Sequence, residues 1–244
     1  MNAYPQEFKS LSPKIVLGIA AHPDDLDFGA SGTLAAFAAH GASVYYLLLT
    51  DGSKGTADQT MAPQELVKTR QAEQRAAIQA IGAKDVQFLD YTDGELAVTM
   101  DLKRDIVRSI RTIKPDVVIT MDPSVLYSAE RGMINHPDHR AAGQATLDAV
   151  YPLARDHLSL PELFAEGFEP HKVSTVLLIN FNQSNFSVDV SKTIDLKMAA
   201  LEAHASQMPD LQKTKNMMRE VAAQLGSDSG FKYAEAFMRI DIPA

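Results

Sequence analysis

The stretch KIVLGIAAHPDD, residues 14–25, contains the two features that decide the fold. Its first part, Lys14–Ala21, is a short apolar run with several β-branched residues, which is typical of a strand buried on both faces. Its second part, His22–Asp25, is polar and follows the apolar run directly. The pattern therefore predicts a central strand that carries imidazole and carboxylate groups at its carboxyl end.

Further strands alternate with helices on the C-terminal side of this stretch. Strands are predicted at 43–50, 86–89, 117–120 and 175–179, with others at 187–190 and 236–242. This alternation favours an α/β fold, a three-layer Rossmann-like arrangement with a mainly parallel sheet and helices on both faces. In the common doubly wound order the first and fourth strands are neighbours, and ligands bind beside their carboxyl ends.

Serine, proline and glycine mark the ends of the intervening helices. Ser31 is predicted to cap a helix that runs to about His40, and Pro63 opens a helix that stops at Gly82. Further helices are predicted at 101–113, 137–149 and 194–206, and loops at 51–61 and 121–135. The chain contains no internal repeat or interdomain linker, so a single domain, 1–244, is predicted.

Composition and charge exclude several classes of protein. The 244 residues include 23 Lys and Arg against 31 Asp and Glu, a net charge of −8, so the chain lacks the basic surface of a nucleic-acid-binding protein. It has no cysteine, which excludes disulfides, thiolate nucleophiles and cysteine-ligated zinc. Neither the polar Met1–Pro13 nor any apolar run fits a signal peptide or a membrane span of about 20 residues. We therefore predict a cytoplasmic protein with neither nucleic acid nor membrane as a partner.

Two clusters of imidazole and carboxylate groups stand out in the sequence. His22-Pro23-Asp24-Asp25 follows the first strand, and His136-Pro137-Asp138-His139 follows the loop after the fourth. If these strands are neighbours, the clusters face each other across a crevice. Two histidines, a carboxylate and an open position for water form a familiar catalytic zinc site, and a further carboxylate can act as a general base.

Other interpretations of the two clusters stay open at this point. His-Pro-Asp can begin a helix, so either cluster alone is explained about equally well as a cap or turn. A Mg²⁺-dependent phosphohydrolase is a rival, although two or three imidazoles favour zinc. A metallohydrolase for another amide, ester or phosphate bond and a non-catalytic sugar-binding protein are further alternatives. A nucleotide-binding Rossmann protein is disfavoured because no GxGxxG follows the first strand.

Several motifs along most of the chain match one family. They are AHPDD (21–25), FGASGTL (28–34), TDGSKGT (50–56), YTDGEL (91–96), KPDVVIT (114–120), HPDHRAAG (136–143) and AHASQ (203–207). With these motifs the sequence resembles the LmbE/PIG-L family of zinc-dependent de-N-acetylases. AHPDD and HPDH are specific when found together, and the others support them. The resemblance implies removal of an N-acetyl group from an amino sugar or a GlcNAc-containing glycoside by attack of a metal-activated water.

The resemblance also implies a role for each matched residue. The implied ligands of one Zn²⁺ per chain are His22, Asp25 and His139, a set with which Fe²⁺ is also compatible. The implied general base is Asp24, and His136 is the implied stabiliser of the oxyanion. Asp138 would orient an active-site histidine, and Arg70 would bind substrate. Homo-oligomers are compatible with the resemblance, and the C-terminal part, about 151–244, would shape the substrate site.

Four further residues carry separate expectations. Many family members have Glu after AHPDD, whereas this chain has Leu26 and then Asp27, for which a helix-start cap is predicted. His204, in AHASQ, is predicted to support the structure or the site rather than bind metal. Asp51 and Asp93 lie in loops on the expected active-site face, where either substrate contact or turn formation fits them.

Overall fold

The computed structural model describes residues 11–243, so the first ten residues of the polar segment Met1–Pro13 lie outside it. Its strands are β1 (Ile15–Ala20), β2 (Ser43–Thr50), β3 (Asp85–Tyr91), β4 (Val117–Met121), β5 (Tyr127–Ser128), β6 (Met133–Ile134), β7 (Thr175–Ile179), β8 (Phe186–Asp189) and β9 (Ala234–Asp241). Its α-helices are α1 (Asp25–Gly29), α2 (Ser31–Ala39), α3 (Pro63–Ala80), α4 (Met100–Ile113), α5 (Pro137–Asp148), α6 (Pro161–Ala165), α7 (Ile194–Ala203) and α8 (Leu211–Ser229).

Seven of these strands form one sheet in the order β3-β2-β1-β4-β7-β9-β8. The first five in that order pair in parallel, whereas β9 runs antiparallel to both β7 and β8. The mainly parallel sheet is therefore confirmed. The first and fourth strands are neighbours as predicted, since Val16 of β1 pairs with Val117 of β4.

Helices cover both faces of the sheet, as predicted. One core contains Val16 and Ala20 of β1 together with Phe37 of α2 and Ile78 of α3. The other contains Leu17 of β1 and side chains from α4 and α5. β1 lies in the middle of the sheet, so residues on both of its faces are buried, which explains why its sequence is continuously apolar.

Two glycines let the site-bearing helices approach the sheet closely. A Cβ atom on Gly18 of β1 would lie 2.7 Å from Leu26 Cδ1 of α1, so the small residue lets α1 pack against the strand. A Cβ atom on Gly143 of α5 would overlap the carbonyl oxygen of Met121 at the end of β4. Gly18 and Gly143 therefore allow α1 and α5, which carry residues of the two polar clusters, to pack closely against β1 and β4.

Some local predictions are wrong. Ser31 does not cap α2, because its hydroxyl donates to the carbonyl oxygen of Asp27 at 2.8 Å. The free amides of Gly32 and Thr33 instead donate to the carboxylate of Glu235, at 3.1 and 2.7 Å. The predicted loop at 121–135 contains the hairpin of β5 and β6. The helix predicted at 194–206 ends at Ala203 and is followed by a 3₁₀ turn.

Among residues 11–243, no helix combines the length and the apolarity that crossing a bilayer requires.

Candidate metal centre

The two polar clusters meet at the carboxyl ends of β1 and β4. The ring centroids of His22 and His136 are 4.8 Å apart, and the ring centroid of His139 lies 5.3 Å from each. Asp25 is the first residue of α1, and Pro137 is the first residue of α5. The neighbouring strands therefore bring together histidines that are more than 110 positions apart in the sequence.

Asp25 lies between the two histidines that the resemblance pairs with it. Its Oδ1 is 2.9 Å from His139 Nε2, and its Oδ2 is 3.4 Å from His22 Nδ1. Oδ2 also accepts a hydrogen bond from the backbone N–H of His22 at 2.8 Å. One carboxylate thus contacts both imidazoles, and its own orientation is fixed by the backbone.

The remaining nitrogen of each imidazole contacts an oxygen atom. His22 Nε2 lies 3.1 Å from Asp93 Oδ1 and 3.2 Å from Asp138 Oδ2. His139 Nδ1 lies 3.1 Å from Asn135 Oδ1, and the amide group of Asn135 donates to the carbonyl of Val125. These acceptors place a proton on His22 Nε2 and on His139 Nδ1. In the neutral rings, the lone pairs of His22 Nδ1 and His139 Nε2 then face Asp25.

This arrangement fits a metal cation. Two imidazole lone pairs and a carboxylate that face one another are stabilised by a positive charge between them, and the outer contacts are those that orient metal-bound histidines. Burial lowers the pKa of His22, but hydrogen bonds to Asp138, Asp25 and Asp93 outweigh it and raise the pKa to about 12. These carboxylates therefore favour a positive charge at this position, which either a second proton on His22 or a metal cation supplies. Burial likewise raises the pKa of Asp25, but His139 and His22 hold it well below its usual range.

Two overlapping groups of candidate ligand atoms occur within residues 11–243. One consists of His22, His136 and His139, and the other of His22, Asp93 and Asp138, with atoms within 4.8 Å of one another in each group. The described part of the chain therefore contains a His/Asp site that is able to hold a metal ion. The contacts of His136 and Asp138 distinguish these two residues from His22, Asp25 and His139.

His136 presents a donor rather than a lone pair to the crevice. It is the N-cap of α5, and its Nδ1 accepts the backbone N–H of Asp138 at 3.1 Å. In the neutral ring the proton is therefore on Nε2. Burial and the neighbouring His22 lower the pKa of His136, which favours this neutral form. A neutral N–H donor suits the stabilisation of an oxyanion.

Asp138 holds His22 and is itself fixed by the backbone. Its Oδ2 accepts the N–H of Gly94 at 2.6 Å, and its Oδ1 accepts that of Leu96 at 3.2 Å. Burial raises the pKa of Asp138, but His22 and these two amides lower it overall, so the group stays ionised. The carboxylate predicted to orient an active-site histidine contacts His22.

Asp24 occupies a strained backbone position beside this centre. Its φ and ψ angles are 95° and −30°, which is unusual for any residue other than glycine. Its Oδ2 lies 3.5 Å from Arg70 Nη2. Burial and the charge of Asp25 raise the pKa of Asp24 to about 7, against the opposing effect of Arg70. A carboxyl with such a pKa exchanges protons near neutral pH, as a general base must.

Arg70 is enclosed by backbone oxygens. Its Nη2 donates to the carbonyl of Pro23 at 2.8 Å, and its Nη1 to that of Gly52 at 3.1 Å. Nη1 also lies 3.7 Å from Asp93 Oδ2, and the side chain is 5% exposed. Arg70 thus joins the loops that follow β1 and β2, and its contacts in this structure are with the protein itself.

The structure shows different contacts for Asp93 and Asp51, whose roles the sequence left open. Asp93 contacts His22, and burial raises its pKa while His22 lowers it overall to about 2. Asp51 accepts the backbone N–H groups of Ser53 and Asp93, which is the behaviour of a turn residue. The sequence signal for Asp93 was its place in the YTDGEL motif after a strand.

Asp27 is not a helix cap, contrary to the prediction. It is fully buried, and its carboxylate accepts hydrogen bonds from three side chains. Tyr46 Oη donates to Oδ1 at 3.2 Å, Gln74 Nε2 donates to Oδ2 at 2.8 Å, and His204 Nε2 lies 2.8 Å from Oδ2. We call Asp27, Tyr46, Gln74 and His204 the Asp27 cluster. His204 therefore contacts the buried carboxylate of Asp27, which lies two positions after Asp25 on α1.

Fold and site together define an α/β protein with a His/Asp site able to hold a metal ion at the switch point of its sheet. The sequence profile of the GlcNAc-PI de-N-acetylase (PIG-L) family matches residues 17–150, and the chain belongs to this family. The chain is 35% identical to the diacetylchitobiose deacetylase of Thermococcus kodakarensis over 224 residues, which are 91% of this chain and 81% of the relative.

Solved structures agree with this assignment. The N,N'-diacetylchitobiose deacetylase from Pyrococcus horikoshii, complexed with its inhibitor MPG, is similar with a TM-score of 0.86 and 30% identity, covering 94% of this chain and 84% of that one. The 4-carboxy-2-hydroxymuconate hydratase from Pseudomonas putida KT2440 has a TM-score of 0.79 at 20% identity, covering 95% and 98% of the two chains. The second likeness concerns the fold alone, so the fold by itself does not select a reaction.

Proposed function

We propose that this protein is a zinc-dependent hydrolase that removes the N-acetyl group from an amino sugar or a GlcNAc-containing glycoside. The observation that carries the proposal is the convergence of His22, Asp25 and His139, with the outer nitrogen of each ring held by an oxygen acceptor. Membership of the PIG-L family and the likeness to diacetylchitobiose deacetylases support the substrate class.

His22, Asp25 and His139 would hold one zinc ion per chain. Two imidazoles and one carboxylate match the ligands of catalytic zinc sites, and Fe²⁺ is compatible with the same donors. When bound there, zinc supplies a Lewis acid that lowers the pKa of water and polarises a carbonyl group. Asp138 and Asp93 would keep His22 in the required tautomer, and Asn135 would do the same for His139.

Asp24 would transfer the proton, and His136 would stabilise the oxyanion. Asp24 accepts a proton from water as the water oxygen attacks the carbonyl carbon of the N-acetyl group. His136 donates an Nε2–H hydrogen bond to the oxyanion that develops on the carbonyl oxygen. The C–N bond then breaks, the nitrogen receives from Asp24 the proton that Asp24 took from water, and the products are acetate and a free amine.

Arg70 and the C-terminal part of the chain would act on the substrate less directly. We assign to Arg70 the task of fixing the loops that surround the substrate, since its two terminal nitrogens contact Pro23 and Gly52. The segment 151–244 supplies His204 and Ser206, which contact Asp27 and Glu73 beside the centre. These contacts support the proposal that 151–244, within one domain of 1–244, shapes the substrate site.

The test measures metal content and amine release on the purified protein. N-acetylglucosamine, its disaccharide and several GlcNAc glycosides are assayed with zinc, with a chelator, and with zinc restored. About one zinc per chain with chelator-sensitive release of amine and acetate supports the proposal. Release from ester or phosphate substrates alone would favour a different hydrolase, and failure to bind zinc would contradict the assigned ligands.

A further inference from the structure

The Asp27 cluster is joined to Asp24 through one side chain. Gln74 of α3 is completely buried, and its Oε1 accepts the backbone N–H of Asp24 at 3.0 Å. Its Nε2 donates to Asp27 Oδ2 at 2.8 Å. The two ends of one amide therefore contact the strained residue beside the centre and the buried carboxylate behind it.

The contacts of Asp27 determine which way the amide of Gln74 faces. An ionised carboxylate only accepts hydrogen bonds, so it requires the NH₂ group of Gln74 and leaves the amide oxygen for Asp24. His204 Nε2, at the C-cap of α7, and Tyr46 Oη, on β2, hold the same carboxylate. A buried network in which each of these contacts is made fixes one arrangement of its members.

Two residues of α3 that precede Gln74 in the sequence make further contacts that hold the helix in place. Glu73 accepts both the backbone N–H and the hydroxyl of Ser206, each at 2.7 Å. Arg70, one turn earlier on the same helix face, lies 3.5 Å from the Asp24 carboxylate. Asp24 is thus held at its backbone and its side chain by residues of one helix, and the AHASQ segment anchors that helix.

The backbone of Asp24 needs such support because its φ of 95° is unfavourable for a residue with a Cβ atom. Gln74 holds the N–H of the peptide before Asp24, and Arg70 holds its carbonyl oxygen, that of Pro23, at 2.8 Å. Without the bond to Gln74 only the bond from Arg70 remains, and rotation of this peptide toward an ordinary conformation moves the Asp24 carboxylate. We propose that Gln74 is a positioning residue for Asp24, and that Asp27 and His204 hold its amide in the orientation that this task requires. The inference rests on the proposed function, because it takes Asp24 to be the base.

The first test replaces Gln74 by leucine, which fills a similar volume without polar atoms. We expect kcat to fall by about 10- to 100-fold, as displacement of a catalytic group by about 1 Å does, with KM and zinc content nearly unchanged. Gln71→Leu is the matched control, because Gln71 lies on the same helix and its side chain donates to Asp90 rather than to the Asp27 cluster. A Gln74→Leu enzyme with wild-type kcat would overturn the proposal.

The second test exchanges donor and acceptor in the hydrogen bond between Gln74 and Asp27. Gln74→Glu alone sets a carboxylate against Asp27, and Asp27→Asn alone allows the Gln74 amide to turn, so each single variant is expected to lose activity. In the double variant Asp27→Asn/Gln74→Glu, the NH₂ group of Asn donates one hydrogen to Glu and the other to His204 Nε2, which accepts it when the ring is protonated on Nδ1. Glu still accepts from the N–H of Asp24. We expect the double variant to recover most of the kcat lost by the single variants. A double variant no more active than the worse single variant contradicts the proposal.

Two further measurements distinguish a loss of catalysis from a loss of folded protein. Thermal unfolding and zinc content are recorded for every variant, and a loss of activity that follows only the loss of folded protein overturns the positioning role. If the wild type releases no amine from any substrate, the proposed function fails. Crystal structures of the wild type and Gln74→Leu then decide: a displaced Asp24 carboxylate supports the positioning role, and an unmoved one refutes it.

Discussion

The candidate metal centre and the Asp27 cluster use the same kinds of side chain for opposite purposes. Asp25 and Asp27 are two positions apart on α1, and each contacts a histidine from a distant part of the chain. At the metal centre His136 is exposed to solvent, whereas Asp27, Gln74 and His204 are each 0% exposed. A polar cluster that solvent can reach is open to a substrate, whereas an enclosed one, in which three side chains hold one carboxylate, fixes the arrangement of its members.

The largest effect on activity is expected from Asp24→Asn, at the candidate metal centre. The amide keeps the size of the side chain but cannot take a proton, so we expect kcat to fall by about 10²- to 10⁴-fold. Zinc content and the unfolding temperature should change little, because Asp24 is not an assigned ligand. Measurement of kcat together with metal content checks this expectation. An active, zinc-loaded variant would remove Asp24 from the role of base.

His136→Asn tests the donor on the exposed side of the same centre. Asparagine can still cap α5 by accepting the N–H of Asp138, but its NH₂ group does not reach where the imidazole Nε2 lies. We expect kcat to fall by about 10²- to 10³-fold, the usual effect of losing one oxyanion donor. Retained zinc with reduced kcat fits this role. Loss of zinc would instead make His136 a ligand.

Asp27→Ala should lower stability, in addition to the loss of activity expected when the Gln74 amide is no longer held. It leaves the buried donors of Tyr46, Gln74 and His204 without their acceptor, and each buried unsatisfied group costs about 1–3 kcal/mol. We expect the free energy of unfolding to fall by about 3 kcal/mol or more, as measured by urea denaturation, with zinc affinity of the folded protein largely kept. A variant as stable as the wild type would show that the Asp27 cluster does not support the fold.

The two regions also differ in how far the sequence predicts them. The convergence of the two polar clusters was predictable because each is a short local motif after a strand, and the pairing of β1 with β4 follows from the doubly wound order. The strands were also predictable from short local stretches of sequence, since buried parallel strands are continuously apolar.

The Asp27 cluster could not be predicted in this way. Its partners come from three elements, 19, 47 and 177 positions away from Asp27. An aspartate near the start of a helix has the same local sequence whether it caps the helix or accepts bonds from distant side chains. Only packing distinguishes the two cases, and the prediction of a cap for Asp27 failed for that reason. The capping of α2 by Glu235, more than 200 positions away, escaped prediction likewise.

The smallest expected effect is a pH dependence of stability inside the Asp27 cluster. Burial lowers the pKa of His204, but the hydrogen bond to Asp27 and the charges of Asp27, Asp24 and Glu73 outweigh it and raise the pKa overall. A raised pKa in the folded state adds stability that is fully present below the unfolded pKa of about 6.5 and is lost as the pH rises through the folded value.

His204→Gln isolates this contribution, because glutamine can still donate to Asp27 but does not titrate. The difference in unfolding free energy between the wild type and His204→Gln should therefore be largest near pH 6 and should narrow toward pH 9. Urea denaturation at several pH values measures it. A difference that stays constant with pH would mean that the stabilisation comes from the hydrogen bond and shape of His204 alone, and that the enclosed cluster carries no titrating charge on this residue.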